Sequence, residues 1–157
     1  MRRLTLPLAA ILAAACAPAA TTPAAAPPAA PPAMASAAPA ASGIVGNYTV
    51  TLADADIPSS VTGDERAGIT GAWVIAIHPG NHFVGTYNGN QVVEGHYQVN
   101  GNQITFPAGE SGQYACTDPA TYTWRISNGR LTFTQVGQDP CRGRAVVLTT
   151  RPLTLVP

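Results

Sequence analysis

Four turn motifs punctuate the chain between residues 79 and 129: Pro79-Gly80-Asn81, Asn88-Gly89-Asn90, Asn100-Gly101 and Asn128-Gly129. Asn-Gly readily supplies the positive φ values that a type I′ turn needs at both central positions, and it is the strongest short-range hairpin signal. Between these turns apolar and polar residues alternate, the period-2 pattern of a strand with one buried face. Tyr122, Trp124 and Ile126 alternate with Thr123 and Arg125, and Leu131 and Phe133 resume the pattern after the turn. The same reading places strands at Gly46–Leu52, Ala72–His78, His82–Tyr87, Gln91–Val99 with Gly95 at a bend or bulge, and Asn102–Phe106. It places a last strand at Ala145–Thr150 and a short helical turn within Ser59–Gly68, capped by Asp54 or Asp56. Consecutive tight hairpins give an all-β antiparallel up-and-down meander. At about eight strands such a meander closes into a small barrel and removes its exposed edges. A sandwich needs longer crossovers than most of these loops allow.

The two ends of the chain differ in kind. Arg2-Arg3, the apolar run Leu4–Ala15 and the small residues that end it have the form of a secretory signal peptide over 1–15. The following Cys16, after Ala13-Ala14-Ala15, resembles the lipidated cysteine of the bacterial lipoprotein signal. Residues 17–42 are nearly all Ala and Pro, with nothing large to bury, and are expected to be a disordered linker. The domain is therefore 43–157. Three cysteines are an odd number for a secreted chain. With Cys16 assigned to lipid, Cys116 and Cys141 remain to pair across the loops that enter and leave the Asn128-Gly129 hairpin. Such a bridge is worth roughly 3–4 kcal/mol in the chain-entropy model, and an extracytoplasmic compartment permits it. The expected location is the bacterial cell envelope, with a lipid anchor in the membrane, or secretion if Cys16 is cleaved away.

Charge excludes one class of partner. All eight basic residues are Arg, and two of them lie in the signal, which leaves fewer cations than the eight acids. A nucleic-acid surface needs a basic patch, so none is expected.

No catalytic constellation stands out. Ser111 lacks the Gly-x-Ser-x-Gly elbow. Asp54 and Asp56 read as strand-ending and capping residues rather than paired catalytic carboxylates. His78 and His82 flank the Pro79-Gly80-Asn81 turn, and Glu94 or Asp54 could join them at a metal, but two surface residues beside a turn explain them as well. The expectation is a non-enzymatic domain with no cofactor and no metal site. Arg125 faces away from the aromatic side of its strand, and so lies outside a barrel whose aromatics point inward.

Several stretches resemble the lipocalin-like (calycin) β-barrels. Gly71-Ala72-Trp73, with Ile75, Ile77 and the Pro-Gly-Asn turn into Phe83, is similar to the Gly-x-Trp strand and first hairpin of that group. Gly95-His96-Tyr97 with Val99–Phe106, and Tyr122–Phe133 leading to Asp139-Pro140-Cys141, are similar to hairpins of lipocalin-like domains in bacterial secreted proteins. Here a strand carrying Gly46-Asn47-Tyr48 precedes Gly-x-Trp. The resemblance implies a barrel that binds a small apolar ligand or an envelope partner, with Tyr48, Trp73, Phe83, Tyr97, Tyr122, Trp124 and Phe133 as the candidate lumen. It also implies a late arginine, Arg144 or Arg151, packed over Trp73. Glu110-Ser111-Gly112-Gln113-Tyr114 resembles the Ser-Gly loop of lysozyme-inhibitor lipoproteins, which implies the alternative of a lipid-anchored inhibitor of a lysozyme or protease.

Overall fold

The turns form within one residue of where the sequence places them. Asn88-Gly89 and Asn128-Gly129 have positive φ at both residues, the type I′ signature. The third tight turn differs: Asn100 pairs with Gln103, so the central residues are Gly101 and Asn102, and of the two only Gly101 has positive φ. That is a glycine in the first central place of a type II′ turn.

A computed structural model describes residues 43–157. The signal peptide at 1–15, the lipidation of Cys16 and the linker at 17–42 lie outside the described residues. The strands are β1 Gly46–Leu52, β2 Gly71–His78, β3 His82–Tyr87, β4 Asn90–His96, β5 Gln98–Asn100, β6 Gln103–Phe106, β7 Ala120–Ser127, β8 Arg130–Val136 and β9 Leu153–Val156. The helices are α1 Gly63–Ile69 and α2 Arg142–Thr149, with a 3-10 turn at Asp54–Asp56. Every strand pairing is antiparallel, in the order β4-β3-β2-β1-β9-β8-β7-β6-β5. The nine strands make an up-and-down, nearly closed β-barrel.

Closure comes from one bent stretch of chain. The strand expected at Gln91–Val99 is broken at Tyr97, and its halves β4 and β5 are the two edges of the sheet. Tyr97 holds the corner: its amide donates to the Asn81 carbonyl at 2.9 Å and its buried hydroxyl donates to the His78 carbonyl at 2.8 Å. Gly95, one place before His96 in the bent stretch, has no side chain because the Phe83 ring lies there; a Cβ would sit 2.9 Å from Phe83 Cε1. Between Gly85 and Thr86 the register with β4 shifts, which adds local twist.

The last expected strand is a correction. Ala145–Thr150 is not extended: it lies mostly in α2, which buries Val146, Val147 and Leu148. Three successive apolar residues carry no usable period, and valines favour the strand reading. Tertiary contacts override that preference, because the disulfide at Cys141 and the ion pairs of Arg144 fix the start of the helix. Pro152 follows, and the chain then becomes extended as β9, which pairs with β1 and β8 and buries Leu153. The helical turn expected within Ser59–Gly68 is α1, but neither Asp54 nor Asp56 caps it: its N-cap is Thr62, without a side-chain cap bond. Asp56 caps the 3-10 turn by accepting from the Ala53 amide at 2.9 Å.

The core is the barrel interior. Tyr48, Trp73, Phe83, Tyr97, Tyr122, Trp124 and Phe133 are all buried in it. Arg125 is exposed on the outer face.

Candidate ligand cavity at the barrel mouth

One end of the barrel is roofed by α1, α2 and the loop 107–119, and each is fastened by specific bonds. The Trp73 indole N–H donates to the Ile69 carbonyl at 2.9 Å, and the Tyr87 hydroxyl to the Thr70 carbonyl at 2.7 Å, so two aromatics from β2 and β3 hold the C-terminal end of α1. Arg142 on α2 donates to the Ser60 carbonyl at 2.8 Å and lies 3.6 Å from Glu65 on α1. The loop pairs with the free edge of β4: Glu94 and Ser111 exchange both backbone hydrogen bonds at 2.9 Å, and the Tyr114 amide donates to the Val92 carbonyl at 3.0 Å. Gly112 permits this approach, since a Cβ there would meet the Val92 carbonyl oxygen at 2.3 Å.

The loop and α2 are joined twice. Cys116 and Cys141 form a disulfide with Cα atoms 6.1 Å apart, within the usual range. Beside it Arg144 reaches between two acids. Its Nε and Nη2 donate to the two Asp139 oxygens at 2.8 Å each, Nη1 donates to Glu110 at 2.6 Å, and Nη2 also donates to the Asp118 carbonyl at 2.8 Å. Both carboxylates are closed off from solvent, with Asp139 fully buried at its side chain and Glu110 only 3% exposed. Asp139 Oδ1 also accepts from the Cys141 amide, and the second Glu110 oxygen accepts from the Cys116 amide, both at 2.8 Å. The Tyr122 hydroxyl also donates to Asp139.

This network sets the titration of its members. Burial alone would raise the Asp139 carboxyl, but hydrogen bonds from Arg144, Tyr122 and the Cys141 amide outweigh it and hold the carboxyl below its ordinary value. Burial also works against the charged guanidinium of Arg144, yet its bonds to Asp139 and Glu110 hold it charged more firmly than a free arginine. Burial, then the Asp139 hydrogen bond and charge, push the Tyr122 phenol well above its usual value.

Beneath this roof lies a cavity of about 240 Å³. Its walls are mainly Ile69, Trp73, Ile75, Phe83, Val93, Phe106, Val147 and Leu148, with Tyr114 and the disulfide at the loop side. Asp64, Glu65, Glu110 and Arg144 are its charged lining residues; the first two are exposed, and the last two are paired to each other. Trp73, Tyr87 and Tyr114 form a mutual aromatic cluster, with centroids 5.0, 5.9 and 5.9 Å apart. Tyr114 is one of the few large side chains of the core's chemistry left exposed.

Of the seven candidate lumen residues, Trp73 and Phe83 line this cavity. The other five are core residues away from it. Tyr48 donates to the Ile44 carbonyl at 3.0 Å, Tyr97 and Tyr122 are engaged as above, and Phe133 packs on Tyr122 with centroids 6.0 Å apart. Trp124 lies at a separate shallow depression with Gly43, Asn102, Arg125 and Ile126, and its indole N–H is buried without a partner among the described residues. The late arginine also sits elsewhere than over Trp73: Arg144 lies 6.0 Å from the Phe106 centroid, and Arg151 pairs with Asp56 at 3.2 Å. The 107–119 loop is one of the two loops that the cysteine pairing marks in the sequence, whereas the wall residues from α1 and from α2 beyond Arg144 escape sequence reasoning, because they are far apart in the chain. Asp64-Glu65 in the first turn of α1, favourable at a helix N-terminus, was the available signal for that helix.

No family model matches the chain, and no curated protein and no solved structure matches it. Among the described residues no helix is long and apolar enough to cross a membrane. The disulfide is compatible with an extracytoplasmic location.

Proposed function

We propose that this chain is an extracytoplasmic, lipid-anchored protein whose lipocalin-like barrel binds a small apolar ligand at its roofed mouth, without catalysing a reaction. The cavity of about 240 Å³ with apolar walls carries the reading. An apolar cavity of about 150 Å³ accommodates benzene, so proportion gives a ligand of about ten heavy atoms, the size of naphthalene. At roughly 0.5–0.7 kcal/mol per heavy atom, within the bounds known for small ligands, the dissociation constant is about 10–200 μM. The loop of Glu110-Ser111-Gly112 lies along the β4 edge with Glu110 turned inward, so nothing specific favours the inhibitor reading.

The test is a calorimetric titration with naphthalene and with a short alkylphenol. Val147 is a buried wall residue on α2. Val147→Phe fills part of the cavity and is expected to weaken binding at least tenfold while the variant stays folded. Equal affinity in the folded variant, or no binding by the native chain at millimolar ligand, rejects the proposal.

A further inference from the structure

The three histidines of the chain lie in one row on the outer face of the barrel. His78 on β2 is directly opposite His82 on β3, and His82 is directly opposite His96 on β4. Directly opposed residues have Cβ atoms about 4.5–5.5 Å apart, so three imidazoles occupy successive places across three strands. The His78 and His82 rings stack with centroids 5.8 Å apart, and His96 meets His82 edge-on at 5.9 Å. Glu94 shares the outer face of β4 with His96, and its Oε2 lies 3.9 Å from His82 Nε2. That carboxylate also accepts from Gln91 at 3.0 Å and from Ser111 at 3.3 Å, which holds it in place.

We propose that His78, His82 and His96 bind a divalent late transition metal, with His82 as the central ligand. Imidazole suits zinc, copper and nickel, and selectivity against magnesium and calcium follows from the nitrogen donors. Zinc–nitrogen bonds of about 2.0–2.1 Å in tetrahedral geometry put ligand nitrogens about 3.3 Å apart. As they stand, the ligand nitrogens of the three rings do not all lie within 4.8 Å of one another, so metal binding requires the outer two rings to pivot over His82. The backbone beneath them is braced, because the buried Tyr97 ties the His78 and Asn81 carbonyls on both sides of the turn. Strand-borne ligands on such a braced hairpin are the preorganised kind. Glu94 adds negative potential and an oxygen donor beside the central ring. Three protein ligands on a solvent-facing surface leave the fourth position open to water, the arrangement of a non-structural zinc site. The proposal does not rest on the apolar cavity.

The test is a titration of the chain with Zn²⁺, with Mg²⁺ as the hard-cation control and the Cys16 sulfur blocked, by its lipid or, in an unlipidated preparation, by alkylation. The expected result is one Zn²⁺ per chain, no response to Mg²⁺, and shifts of all three imidazole resonances together. His82→Gln is expected to weaken zinc binding at least tenfold with an unchanged melting temperature in the absence of metal. His78→Gln and His96→Gln are each expected to weaken it as well. No zinc binding up to 1 mM, or binding retained by folded His82→Gln, overturns the proposal.

Discussion

Replacing Arg144 with Met removes the centre of the network that joins α2 to the 107–119 loop. The side chain volume is largely kept, but Asp139 and Glu110 lose their cation in a site where Arg144 is only 10% exposed and the acids are more deeply covered. Each acid keeps a backbone amide, and Asp139 also keeps Tyr122. Solvent screening gives little relief at this depth, so the cost is that of breaking a buried pair, about 3–5 kcal/mol. Four hydrogen bonds are lost, and those to charged groups are the stronger kind, but they belong to the same cost and do not add to it. A domain of about 115 residues has an unfolding entropy near 0.24 kcal/mol/K, so the melting temperature falls by about 12–20 °C. Differential scanning calorimetry of the oxidised chain at neutral pH measures it. Neutralising all three members together, Glu110→Gln with Asp139→Asn and Arg144→Met, is expected to recover part of the loss, because no unpaired charge remains buried. A loss under about 1 kcal/mol for Arg144→Met, the behaviour of an exposed ion pair, refutes the reasoning.

Two further outcomes follow from the same roof. Replacing Cys116 and Cys141 with Ser opens a loop closed over a sequence separation of 25 residues and is expected to cost about 3–4 kcal/mol in denaturant unfolding. It should also speed amide exchange in the 107–119 loop more than in β7 and β8. Stability should fall on both sides of neutrality. Asp139 titrates lower in the folded state than in the unfolded chain, so its contribution is present above the unfolded value near 4 and is lost as pH falls below it. Tyr122 titrates higher when folded, so its contribution is present below the unfolded value near 10 and is lost as pH rises beyond it. Urea midpoints measured across pH check both limbs, with Asp139→Asn flattening the acid one and Tyr122→Phe the alkaline one.

The parts of this fold that are local were legible in the sequence. Asn88-Gly89 and Asn128-Gly129 set hairpins because few other dipeptides adopt two positive φ values, and alternation then assigned the buried face of β2, β7 and β8. Cysteine arithmetic pointed to the pair that forms the disulfide. The failures were non-local. Val146, Val147 and Leu148 are helical because their ends are tied to partners on other segments, which a window of apolar residues does not reveal. Glu110 and Arg144 are 34 positions apart, and their pairing depends on the loop turning back along β4. His96 belongs beside His82 only through the β3–β4 register, which the irregularity after Gly85 makes hard to count from sequence. The cavity took just two of seven candidate aromatics because an inward-facing side chain in so narrow a barrel usually fills space, and the roof decides where space remains.

The tryptophans allow the most direct measurement of the central claim. Trp73 lines the cavity and Trp124 does not, and they are the only two in the chain. Trp124→Phe and Trp73→Phe therefore give one reporter inside the site and one outside it. Titration with 1-bromonaphthalene, a heavy-atom quencher of the proposed ligand size, is predicted to quench Trp73 saturably, with a midpoint of about 10–200 μM, and to leave Trp124 nearly unaffected. Equal, non-saturating quenching of both tryptophans contradicts a ligand-binding cavity at the barrel mouth.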